Sequence, residues 1–177
     1  MTYYKHHKDK DGSCSARGEK AETLFAKSLH YLGFTTEVAE FQDQMKHIDY
    51  FIQIDGSVDV KARKRLSRSG GDQDEYVWVE FLGTTGRKGW LYGQQTHMAF
   101  ERLRDFVVVP RAELATLCEA IVEDEIVTNV AEAHLRKYSR RNCKSLCSLI
   151  PMKTITKRLP VILLKKYDDD KCENSSD

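Results

Sequence analysis

No run of apolar residues in this sequence is long enough to cross a bilayer, and neither sign of charge dominates: 28 lysines and arginines face 27 acids, for a formal charge of +1. The first lack argues against a membrane-spanning helix. The second means that the chain is not a polycation, so any affinity for nucleic acid has to come from local clustering. No internal repeat is visible, which excludes a solenoid. Five cysteines are present, but none stands in a C-x2-C pair. Cys143 and Cys147, with Cys118 and His134 upstream, therefore lack the short paired spacing of a structural zinc site, and buried or surface thiols are expected instead. The start of the chain has no signal-peptide character, so free thiols in a reducing, cytoplasmic setting are expected.

What is there suits one compact unit. With 41% hydrophobic residues in 177, the chain can bury one core, expected over residues 17–165, with loose polar tails at 1–16 and 166–177. Glu19 to Leu32 places Ala21, Leu24, Phe25, Ser28, Leu29 and Leu32 on one stripe and ends at Gly33, which predicts an amphipathic helix. Strands are predicted over Phe34–Phe41, Lys46–Ile54 and Ser57–Lys64, the last two joined as a hairpin at Asp55-Gly56. Further strands are expected over Glu75–Leu82, Thr96–Glu101 and Asp105–Pro110, and a helix over Arg111–Glu123. The later segments read as helix with irregular or strand elements. The order predicts an α/β fold, a mixed β-sheet with flanking helices.

Within the expected hairpin the pattern is unusual. Alternation puts Ser57, Asp59, Lys61 and Arg63 on one face and Val58, Val60 and Ala62 on the other. The same parity groups His47, Asp49, Phe51 and Gln53. Across the hairpin, Asp49 and Asp59 can meet with Lys61 beside them, and two carboxylates at close range repel unless something positive lies between. Mg²⁺ or Mn²⁺, which take hard oxygen ligands, would serve, and Lys61 is a second positive element. A solvated strand edge is the simpler alternative. Basic residues cluster in two runs: Lys61, Arg63, Lys64, Arg65 and Arg68 in one; Arg136, Lys137, Arg140, Arg141 and Lys144 in the other, which continues to Arg158 without an acid. Either run is a solvated face or a phosphate-contacting surface.

A helix acid (Glu22) ahead of Gly33-Phe34, a strand Asp (Asp49 in HIDYFI) and then Asp59-Val60-Lys61 together resemble the PD-(D/E)XK nuclease superfamily, which includes Holliday-junction resolvases and many restriction enzymes. YVWVEFLGTTGRKGWLYG followed by THMAFE is similar to small phage-encoded nucleases of that superfamily. The resemblance covers about Gly18 to Glu101. Ile48 stands where the motif usually has proline, and no Q-x-x-x-Y helix of the RecB type follows. It implies a restriction-endonuclease-like core (α-β-β-β-α-β) and a Mg²⁺- or Mn²⁺-dependent DNA endonuclease acting on branched or duplex DNA. If the chain is phage-encoded, it would work in the host cytosol. Asp49, Asp59 and Glu22 are then metal ligands, with Glu19 in reserve, and Lys61 acts on the attacking water. Arg63, Lys64, Arg65, Arg68, Arg136, Lys137, Arg140 and Arg141 are then DNA contacts. Glu80, among Tyr76, Trp78 and Leu82, is either paired or near the site. His47 either touches substrate or is structural. Trp78 is expected in the core, while Trp90 either packs or stacks on bases. A homodimer would supply two sites for two-strand cleavage. The rival expectation is a catalytically silent nucleic-acid-binding or protein-interaction module on the same fold.

Overall fold

The computed structural model describes residues 13–31, 34–52, 56–66, 70–140 and 143–166. Helix α1 (Ser13–Tyr31) precedes β1 (Thr36–Val38), a four-residue helix α2 (Phe41–Gln44), β2 (Tyr50–Ile52) and β3 (Gly56–Lys61). Then come β4 (Tyr76–Leu82), β5 (His97–Glu101), β6 (Asp105–Pro110), α3 (Arg111–Ile121) and β7 (Glu123–Val127). These are followed by β8 (Arg136–Tyr138), β9 (Leu146–Pro151), α4 (Met152–Arg158) and β10 (Ile162–Lys165). None of the helices described is long and apolar enough to cross a membrane.

The strands form two mixed sheets: one of six strands in the order β1-β2-β3-β5-β6-β10, and one of four in the order β4-β9-β8-β7. The expected β2–β3 hairpin is present, with Tyr50 opposite Val58 and Phe51 opposite Ser57. Its expected Asp55-Gly56 turn falls partly outside the described residues. β3 then pairs in parallel with β5, Asp59 opposite Met98 and Lys61 opposite Phe100. The intervening β4 leaves this sheet and pairs with β9 instead. A single sheet containing all the predicted strands is thus corrected to two packed layers. Period-two patterning marks β4 as a strand but carries no information about its partner.

Parity divides the core. On one face of the larger sheet, Tyr50, Val58, Val60, Ala99, Phe106 and Val108 pack against Ala21, Phe25 and Leu29 of α1. Phe25 meets Phe106 edge-on at 5.1 Å between ring centroids. On the other face, Met98, Phe100, Val107 and Val109 pack against Val79, Phe81 and Ile150 of the smaller sheet and against Leu114 and Cys118 of α3. Asp59 and Lys61 share the parity of Met98 and Phe100, so they point between the two sheets.

Several boundaries move. α1 begins at Ser13, so residues 13–16 of the expected N-terminal tail are helical. At the other end, Lys166 is tied down as well: its Nζ donates to Glu101 Oε1 at 2.7 Å and its N–H to the Arg104 carbonyl at 3.1 Å. The predicted Lys46–Ile54 strand begins only at Tyr50, because Asp43 and Gln44 of α2 accept the Lys46 and His47 N–H groups at 2.8 and 3.0 Å and hold 45–47 in a turn. The predicted Phe34–Phe41 strand shortens to β1, with Phe41 opening α2. After α3, where the sequence reads as helix with irregular or strand elements, the chain forms β7, β8, β9, α4 and β10.

Candidate active site

Asp49 and Asp59 are brought together by the β2–β3 pairing, which continues beyond the strand through the Asp49 N–H donating to the Val58 carbonyl at 2.9 Å. Asp49 Oδ2 accepts from the Val60 N–H at 2.6 Å. Lys61 Nζ donates to Asp59 Oδ1 at 2.6 Å, with side-chain exposures of 21% for the lysine and 3% for the acid. The second oxygen, Asp59 Oδ2, is buried without a hydrogen-bond donor from any described residue. The Asp49 carboxyl faces Asp59 across the β2–β3 pair, and each acts on the other's ionisation. Two carboxyl oxygens bond only if a proton lies between them, so a protonated Asp49 supplies Asp59 with a donor, whereas an ionised one exposes it to repulsion.

The electrostatics agree. Burial, then the charge of Asp59, pushes the Asp49 carboxyl up to about 7, against the pull of Lys61 and the Val60 N–H. Burial also raises Asp59, although Lys61 works against it. For Lys61, burial opposes the charge, but Asp59 and Asp49 outweigh it and hold the ammonium above the ordinary lysine range. Near neutral pH the cluster therefore holds a protonated lysine, and the Asp49 carboxyl is poised between holding and losing its proton. A divalent cation could replace that proton.

Glu22 enters from the α1 side of the sheet, opposite the face of Asp59. Burial and then Asp49 push its carboxyl up to about 7, with Lys61 pulling the other way and Glu19 adding to the rise. Glu19 itself is exposed. Among the described residues, no three His, Cys, Asp or Glu side chains are gathered as ligands of one metal ion. Two carboxylates with waters and a substrate phosphate nevertheless form a usual Mg²⁺ environment, and the all-oxygen donor set and the orphaned Asp59 Oδ2 fit it.

Glu80, on the smaller sheet, acts by its charge on both Lys61 and His47. His47 is half-buried in the turn before β2 with φ of 66°. Burial, then Lys61, holds its imidazole below the usual histidine range, against Glu80. Trp90 is 7% exposed. Its ring meets Phe100 at 6.1 Å and lies 5.3 Å beneath Lys61 Nζ, so it packs and supports the lysine. Trp78, expected in the core, is only half-buried, its ring 5.7 Å from that of Tyr138 between centroids. Cys118 is buried on the core-facing side of α3, while Cys143 precedes β9 and Cys147 lies within it.

The basic runs are largely compensated within the molecule. Arg63 pairs with Asp74 at 2.6 Å and Arg65 with Asp72 at 3.5 Å. Arg136 pairs with Glu123 and Glu125, each at 3.3 Å, and Lys137 with Asp124. Lys64 and Arg140 are exposed; Arg68 and Arg141 lie outside the described residues. Patterning missed these pairings because the acids stand outside the basic runs, across a turn or on a neighbouring strand. Comparison with protein-family models, curated proteins and solved structures gives no match.

Proposed function

We propose that Asp49, Asp59 and Lys61 form the hydrolytic site of a Mg²⁺- or Mn²⁺-dependent DNA endonuclease built on a restriction-endonuclease-like core. The observation that carries this reading is the buried, unpartnered Asp59 Oδ2 beside a second carboxyl and a held ammonium. Asp49 and Asp59 would hold the cation, and Glu22 would support it from the rim through water. The bound ion supplies charge neutralisation at the phosphate and a more acidic water. Lys61, kept protonated by its neighbours, donates to the water or to a non-bridging phosphate oxygen rather than removing a proton. Water would then add to phosphorus as an ester P–O bond breaks, the water's proton passing to solvent and the departing oxygen taking one up from solvent.

A second reading, a silent nucleic-acid-binding or protein-interaction module, is favoured by one fact: Lys61 is ion-paired with Asp59 at 2.6 Å, a pairing that can serve stability alone. Incubating the purified protein with labelled branched, duplex and single-stranded DNA, in Mg²⁺ and in chelator, separates the two. Mg²⁺-dependent cleavage of at least one substrate is expected. Binding with no cleavage in any metal would favour the silent module.

A further inference from the structure

Between β4 and the Trp90–Tyr92 turn the chain forms a short hairpin, GTTGRKG, from Gly83 to Gly89. The Gly83 N–H donates to the Arg87 carbonyl and the Gly86 N–H to the Gly83 carbonyl, each at 2.9 Å, while Leu82 bridges to Lys88. Gly86 turns the tip with φ of 80°, which a residue without Cβ adopts freely. At the base, Gly89 presses on β4: a Cβ there would lie 2.2 Å from the Glu80 carbonyl oxygen. The Glu80 side chain also borders Gly83, with Oε1 3.7 Å from the corresponding position. The hairpin is therefore closed over the residue whose charge reaches Lys61 and His47.

Its tip is cationic and open. Arg87 and Lys88 are exposed, and exposed Lys144 arrives from the segment before β9 to lie against Gly86, its Cδ 3.1 Å from where a Cβ would stand. Among the described residues none of the three forms an ion pair. Lys88 Nζ lies 5.6 Å from the Tyr92 ring centroid, which steadies the ammonium without neutralising it. Exposed Thr84 and Thr85 add hydroxyl donors beside them. Arg63, Arg65, Arg136 and Lys137, by contrast, already face carboxylates. Uncompensated cations on two converging segments, with hydroxyls between, suit a sugar-phosphate backbone.

We infer that the Gly83–Gly89 hairpin and Lys144 form a phosphate-binding rim of the Asp49–Asp59 site, gripping the backbone of a nucleic acid. The position of the scissile phosphate rests on the hydrolytic reading; the rim's affinity for the polyanion does not. The test is fluorescence anisotropy of the full chain with labelled duplex and single-stranded DNA, in chelator, across a salt series. The combined Arg87→Gln, Lys88→Gln and Lys144→Gln variant should bind at least about tenfold more weakly, with a log–log salt slope shallower by about 2 to 3. Lys20→Gln, at an exposed position of α1 outside both basic runs, should leave both quantities unchanged. Arg87→Glu alone, at the exposed tip, should weaken binding in the same direction and covers the case in which the triple variant melts early. Unchanged affinity and slope in the rim variants, or no binding by the wild type, overturns the inference. Rim-dependent binding without Mg²⁺-dependent cleavage upholds it and ends the hydrolytic reading.

Discussion

Alanine at Asp49, Asp59 or Lys61 is expected to lower DNA cleavage by roughly 10³-fold or more in each case, and any two together should be scarcely worse than one. The reason is geometric. Asp49 and Asp59 meet only because the β2–β3 register sets them opposite, and Lys61 is held at 2.6 Å from Asp59, so removing one member disorders the charge balance of the others. Folding should survive the two acid substitutions, because repulsion between the carboxylates costs stability whenever no cation or proton separates them. Unfolded alanine variants with full activity per folded molecule would show the acids to be structural.

Stability in chelator should fall as pH rises from 5 to 8, and Asp49→Asn should remove much of that fall. The folded-state carboxyls of Asp49 and Glu22 stand at about 7, above their ordinary values of 3.8 and 4.5. The folded protein therefore binds more protons than the unfolded chain between those limits. Its advantage is full below the ordinary carboxyl range and is lost as pH passes through about 7. His47, held below its ordinary value, contributes a slope of the opposite sign, so the difference between wild type and variant is the quantity to measure. In Asp49→Asn the amide oxygen can still accept from the Val60 N–H and the amide nitrogen can donate to Asp59. At pH 8 the variant should melt about 5 °C higher, corresponding to on the order of 2 kcal/mol in a chain of this size. A wild type whose melting temperature is flat or rising from pH 5 to 8, with no gain in the variant, contradicts the repulsion account.

The hairpin and the D-x-K alternation were legible because both are local: parity alone puts Asp59 and Lys61 together, and the apolar stripe of Ala21, Phe25 and Leu29 marks the buried side of α1. What was not legible depends on pairing between distant segments. Nothing in EYVWVEFL says that β4 leaves the β3–β5 sheet to join β9, and it is that departure that brings Glu80 over the site. The basic run from Arg63 reads as a free polycation until Asp72 and Asp74 fold back on it. Trp90, in a Gly-rich segment, reads equally well as packed or as stacking on bases, and the clamp at Gly89 decides it by setting the ring beneath Lys61.

The central claim is that the buried oxygen of Asp59 is a cation ligand, and calorimetric titration with Mn²⁺ tests it most directly. The wild type should bind weakly at pH 8, with less heat at pH 5 where Asp49 keeps its proton, and Asp59→Asn should abolish the signal while leaving the fold intact. The same heat from Asp59→Asn as from the wild type would contradict the claim.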